Sequence, residues 1–172
     1  MEEPLPTFKY HPDPIATGAI VADPDAPCLS CNRIRGYVYD GPAYSEKFHH
    51  LTHNICPWCI ADGSAAKKFS AEFNDAATLD DVDDNVMDEI AHRTPGFDAW
   101  QQEQWLCCCD DAGAYLGRAG AAELKGKFAA AIPAVEEDWD GDWHDLSKEG
   151  QPTAYIFRCL HCKKYLAYVD QT

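Results

Sequence analysis

CPWCIADGSAAKKFSAEF, residues 56–73, sets a cysteine pair spaced by two residues directly ahead of a run with helical character. Asp62 or Ser64 can cap that run, and Phe69 and Phe73 fall on one face of it, so the pattern predicts a helix over 60–73. A second pair of the same spacing, CLSC (28–31), lies 24 residues upstream. A tight turn between two cysteines aims both thiolates at one ion while backbone N–H groups support the sulfur charge. Two such turns complete a tetrahedral shell, at Zn–S distances of about 2.3 Å. Between the pairs, RGYVYDGPAY (35–44) mixes β-branched and aromatic residues and breaks at Gly41-Pro42, which predicts a strand ending in a turn.

A knuckle, a hairpin and a second knuckle feeding a helix make a treble-clef or zinc-ribbon-like arrangement. Cys28, Cys31, Cys56 and Cys59 are therefore expected to hold one Zn2+ ion. Four thiolates close the shell and quench Lewis acidity, whereas catalytic zinc keeps an open position, so the site is structural. A thioredoxin-like dithiol would explain CPWC ahead of a helix but needs no second pair. An iron–sulfur cluster uses the same ligand set and is the other alternative.

The remaining cysteines are less simply placed. QWLCCCDDAGAYLG (104–117) carries Cys107, Cys108 and Cys109 side by side. CLHC (159–162) lies within TAYIFRCLHCKKYLAYVD (153–170), which alternates on both sides of the pair and reads as a hairpin. In an extended strand Cys107 and Cys109 face one way and Cys108 the other; in a turn, Cys108 and Cys109 can reach one ion. Two of the three, with Cys159 and Cys162, would complete a second four-cysteine site. His161 is expected to point outward from its knuckle, and His144 in DWHD to be solvated. Free thiols packed in a core are the competing explanation.

Elsewhere the chain alternates helical and irregular stretches. The proline-rich segment to about residue 27 suggests extended chain lying over a core. Leu79, Val82, Val86, Met87 and Ile90 recur at helical spacing, so TLDDVDDNVMDEI (78–90) reads as one amphipathic helix with its acids solvated. FDAWQQEQWL (97–106) and AAELKGKFAAAI (121–132) are further helix candidates, the second closed by Pro133, and 134–152 reads as loop. The expected class is α+β: one small zinc-stabilised domain over 1–172, with a knuckle lobe at about 1–75 and a helical and hairpin lobe at about 76–172.

With 29 Asp and Glu against 14 Lys and Arg, the net charge of −15 repels nucleic acid and anionic membranes and attracts basic proteins or cations. It also keeps a protein soluble, which is the plainer role. The start, MEEPLPTFKYHPDP, is acidic rather than leader-like, and no apolar stretch approaches the roughly 20 residues of a membrane span. A cytoplasmic protein is expected, in which nine cysteines point to metal or redox chemistry rather than disulfides.

LPTFKYHPDPIATGAI (5–20), the run from Cys56 to Asp75, RTPGFDAWQQEQWL (93–106), AYLGRAG (114–120) and YIFRCLHCKKY (155–165) together resemble the CbrC family of bacterial proteins. That resemblance implies a role in resistance or immunity to a bacterial toxin, and no catalytic residue. In the family pattern, Cys108 stands where a histidine is frequent, Cys109 holds the cysteine, and Gly113 replaces a later cysteine. Both residue types bind zinc, so the resemblance favours Cys108 with Cys109 as the ligands joining Cys159 and Cys162.

No nucleotide-binding glycine loop, G-x-S-x-G elbow or H-E-x-x-H motif is present, and the chain is expected not to be an enzyme. HHLTH (49–53) reads as a surface histidine cluster near a hairpin tip. Arg33, Arg35, Lys67 and Lys68 are too few to make a nucleic-acid face against the acidic balance. The expected function is an immunity-type inhibitor that sequesters a basic toxin domain, with a zinc-containing adaptor in stress resistance as the alternative. Its binding face would comprise Asp80, Asp81, Asp83 and Asp84, with Glu136, Glu137, Asp138, Trp139, Asp140, Asp142 and Trp143. The two tryptophans could instead fold onto the core.

Overall fold

A computed structural model describes residues 3–172. They form α+β structure of small sheets and short helices, in two units: one runs to Ala77 and adds Asp84–Asp98, the other joins Thr78–Asp83 to Ala99–Thr172. The chain therefore passes between the units more than once, not at a single boundary near residue 75.

In the first unit, β1 (Ile20–Ala22) pairs antiparallel with β2 (Tyr37–Tyr39), and the connection between them carries Cys28 and Cys31. The helix expected over 60–73 is two helices, α1 (Pro57–Ala61) and α2 (Ser64–Phe69). Gly63 separates them at φ 74, a left-handed conformation that costs glycine nothing, and Ser70 ends α2 at φ 47. The acidic helix expected over 78–90 is also shorter, because α3 is Asp84–Arg93. Leu79 is buried without being helical, and Asp81 is left-handed. Aspartates compete for backbone hydrogen bonds inside a helix but favour its first turn, so the helix begins at the last of the run, Asp84. The core joins Phe8, Ile20, Tyr39, Ile55, Ile60 and Phe73 to Cys28, Cys56 and Cys59.

The second unit centres on an antiparallel sheet of β5 (Ala114–Ala119), β6 (Thr153–Arg158) and β7 (Tyr165–Asp170), with β6 in the middle. Two faces of β6 are covered. Ala154 and Ile156 meet Leu124, Phe128 and Val135, while Phe157 meets Trp105 edge-on at 5.6 Å. The helix expected over 121–132 stops early, as α4 (Ala121–Lys125). Pro133 opens α5 (Ile132–Asp138) rather than closing a helix, since its fixed φ and missing N–H suit a first turn, and part of the expected 134–152 loop is helical. The stretch 97–106 is not helical: Trp105 N–H donates to Thr78 Oγ1 and Gln101 N–H to Asp170 Oδ2, drawing donors away from a helix. Among the described residues no helix is long and apolar enough to cross a membrane.

Candidate metal centres

Each unit contains one group of four cysteines. The sulfurs of Cys28, Cys31, Cys56 and Cys59 lie within 4.8 Å of one another, as do those of Cys108, Cys109, Cys159 and Cys162. A tetrahedral zinc at about 2.3 Å from each sulfur implies S···S edges of about 3.8 Å. The observed contacts match: 3.9 Å for Cys31–Cys56, 3.7 Å for Cys108–Cys109 and 3.6 Å for Cys108–Cys162. All eight fit soft, tetrahedral metal ions of the zinc type.

One turn geometry builds the leading pair of each set. Cys28 N–H donates to Arg33 O at 3.0 Å, and Cys159 N–H donates to Lys164 O at 2.9 Å, five residues on in both cases. The residue before each acceptor is left-handed, Asn32 at φ 56 and Lys163 at φ 65. Backbone donors then address sulfur: Cys56 N–H to Cys28 Sγ at 3.3 Å, and the N–H groups of His161 and Cys162 to Cys159 Sγ at 3.4 Å each. Cys56 caps α1, and Lys68 of α2 donates to Leu29 O and Ser30 O, pinning the first knuckle to the second.

The triple cysteine forms a miniature hairpin. Strand β3 (Cys107–Cys108) pairs with β4 (Asp111–Ala112), leaving Cys109 and Asp110 as a two-residue turn with both at φ 57. Positive φ at both central positions is the requirement of a type I′ turn. The turn ends the strand alternation and swings Cys109 to the side of Cys108. Cys107 stays outside the cluster, half-buried beside Leu106, Tyr165 and Leu166.

In each centre one thiol is drawn below its ordinary range. Hydrogen bonding from the Cys56 thiol, aided by backbone N–H groups, brings Cys28 down to about 4 against the cost of burial, and pushes its donor Cys56 up. Burial pushes Cys59 up. In the second centre the bond to Cys159 pushes Cys108 up to about 12. Burial opposes the charge on Cys159, but the N–H groups of Cys162 and His161 outweigh it and bring the thiol to about 6. A bound ion would displace protons from Cys56, Cys59 and Cys108.

His161 points away from the second centre and meets Asp111 Oδ2 at 2.9 Å. His144 pairs with Asp142 and stacks on Trp143 at 3.7 Å, away from both centres, and His53 pairs with Asp40. Of the expected partner-binding residues, Asp80, Asp81 and Asp83 are exposed and non-helical, while Asp84 opens α3 in the other unit. Glu136, Glu137 and Asp138 lie exposed on α5; Asp138 accepts from Val169 N–H, and Asp142 caps the turn that follows. Asp140 is exposed, but Trp139 and Trp143 are half-buried against the core of the second unit, so the acids rather than the indoles face solvent. Sequence reasoning passed over the groove beside Cys107, of about 300 Å³, lined by Leu106, Tyr165, Leu166, Glu137 and Asp138. Asp80 and Asp81 add negative charge close to Cys107, whose thiol burial pushes up. The triple cysteine, with one member beyond the two ligands, was the available signal.

Comparison with known proteins identifies the whole chain. The family model described as "Uncharacterised protein family (UPF0167)" matches residues 5–171. UPF0167 protein Mb2317 of Mycobacterium bovis is 48% identical over 178 residues, covering 96% of this chain and 93% of that protein. UPF0167 protein PA1536 of Pseudomonas aeruginosa is 44% identical over 174 residues, covering 94% of each. No solved structure matches. The family model and these relatives carry the UPF0167 name and not that of CbrC, which corrects the resemblance drawn from the sequence blocks. The chain belongs to the UPF0167 family.

Proposed function

We propose that this chain is a zinc-stabilised acidic binding protein that sequesters a basic protein partner, of the kind a nuclease toxin domain presents, and that it carries out no chemistry of its own. The observation that carries this reading is the acidic groove of the second unit. Its floor is apolar (Leu106, Tyr165, Leu166), Glu137 and Asp138 line it together with Lys164, which reaches Glu137 at 3.9 Å, and Asp80 and Asp81 add negative charge close to Cys107. Aliphatic stems of lysine or arginine fit such a floor while their charged ends meet carboxylates.

Zinc is the metal that the donor set supports best. Four thiolates converge on one point in each centre, which suits a single ion, whereas a multi-iron cluster spreads its ligands over several metals. With all four positions filled by sulfur, both ions are scaffold, and unpaired cysteines suit a reducing compartment such as the cytoplasm.

The test is co-purification with the product of a neighbouring reading frame that encodes a basic toxin domain, followed by titration in rising salt. The double variant D80K/E137K should weaken binding about tenfold or more, and the wild-type on-rate should fall as salt rises. Binding indifferent to both salt and charge reversal would sink the proposal. Metal analysis finding fewer than about one zinc per chain would remove the scaffold.

A further inference from the structure

The first unit contains a groove of opposite character. It measures about 880 Å³, and Arg33, Arg35, Trp58, Tyr37 and Ile34 line it. Two of the chain's five arginines thus share one groove in a protein of net charge −15. The volume is within the range of about 300–1,000 Å³ typical of ligand sites.

Residues 3–5 of the same chain lie along this groove and display the chemistry it receives. Arg33 and Arg35 both reach Glu3 Oε2, at 3.5 and 3.3 Å. The indole N–H of Trp58 donates to Pro4 O at 3.0 Å, so the site grips main chain as well as a carboxylate. The Arg35 guanidinium lies 5.0 Å from the Trp58 ring centroid, which orients both groups. Aromatic walls with an indole donor are the usual means of receiving extended, proline-containing chain.

The fit in cis is poor in one specific way. Two arginines share a single carboxylate oxygen of Glu3 at long distances, so among the described residues neither guanidinium makes the two-pronged contact it is shaped for. Arg35 is largely buried, with 12% side-chain exposure, and its Nε–H has no acceptor among the described residues. Ile34, at 59% exposure, leaves an apolar surface beside these cations.

We propose that this groove binds an acidic, proline-containing peptide segment of a partner protein, and that residues 3–5 are its built-in, exchangeable occupant. A segment free of the tether can set a carboxylate squarely against each guanidinium, which Glu3 does not. The tethered segment competes at an effective concentration of millimolar order, so with an intrinsic affinity of about 100 µM for the groove it holds any competing peptide back about tenfold. The site is separate from the acidic groove, lies in the other unit, and selects the opposite charge.

The experiment uses full-length protein and fluorescence anisotropy with a fluorescein-labelled Glu-Glu-Pro-Leu-Pro peptide as probe. The E3A variant should bind it about tenfold tighter than wild type, and a Gln-Gln-Pro-Leu-Pro probe should lose about tenfold or more. Adding R33A or R35A to E3A should abolish the gain. Arg33 is 60% exposed, so R33A tests the charge without disturbing the core even where R35A lowers metal content or helicity. Equal affinity of wild type and E3A, or equal affinity for the two probes, overturns the proposal. A concentration-dependent dimer of wild type that E3A abolishes would assign the groove to a second copy of this chain and overturn the reading of a separate partner.

Discussion

His11 is fully buried in the first unit, where its Nδ1 lies 2.7 Å from Pro95 O and its Nε2 lies 2.6 Å from Thr17 Oγ1. Burial pulls its pKa down from 6.5 to about 4, although the Pro95 carbonyl favours the charged form. Between those values the unfolded chain takes up a proton that the folded one refuses. The stability this group contributes is therefore complete above pH 6.5 and is lost as pH falls toward 4, at about 1.4 kcal/mol per pH unit. From pH 7.5 to pH 5 the loss comes to about 2 kcal/mol. The perturbation is H11Q, which keeps a polar side chain of similar reach and removes the titration. Urea unfolding of both proteins at several pH values gives the difference in stability, in which protonation of the cysteines largely cancels. Wild type should be the more stable at pH 7.5, and its advantage should shrink by about 2 kcal/mol at pH 5. Imidazole resonances should show His11 still neutral at pH 5. A stability difference constant to within about 0.5 kcal/mol would refute the reasoning, as would a His11 resonance titrating near 6.5.

Three further outcomes are expected. C107S should retain two metals per chain by elemental analysis while C109S retains one, because the turn at Cys109 and Asp110 puts only Cys108 and Cys109 on the second centre. A chelator should strip the second centre first, since Cys109 and Cys162 are exposed there whereas Cys28, Cys56 and Cys59 are buried; release followed with a metal dye should be biphasic, and a single phase counts against the assignment. G96A should destabilise the first unit by about 3 kcal/mol or more in denaturant unfolding. Its new Cβ would collide with Phe73 O and stand 2.8 Å from Asn74 Oδ1, and it would disturb the Gly96 N–H bond to Tyr39 OH.

The cysteine framework was legible because its spacing is a chemical requirement. Two residues between sulfurs suit a turn that aims both at one point, so the pairs at 28–31, 56–59 and 159–162 could be read directly. The choice between Cys107 and Cys108 could not, since it depends on two non-glycine residues adopting positive φ, and neither Cys109 nor Asp110 announces that the way glycine does. Helix boundaries failed where a breaker was read by its commonest role. Pro133 reads as a stop and is a start, and Gly63 divides a run whose apolar spacing continues past it. In the acidic stretch periodicity grouped Leu79 and Val82 with Ile90, but aspartate's preference for helix ends prevailed. The arginine groove was invisible because it brings Glu3 against residues about thirty positions later, a pairing that no local pattern records.

The same five-residue knuckle occurs at Cys28 and Cys159, yet each copy closes a centre within its own unit. Ligands are not shared between the units, so loading one centre with metal does not complete the other. A population of chains short of metal should then contain four distinguishable species, defined by which centre is filled, rather than one uniformly weakened form. Native mass spectrometry should resolve three masses by ion count, the two singly loaded forms sharing one of them, and cobalt supplied after zinc should colour only the molecules with a vacancy left. Scarcity would act on this protein as a change in composition, with the more exposed centre setting which species dominates.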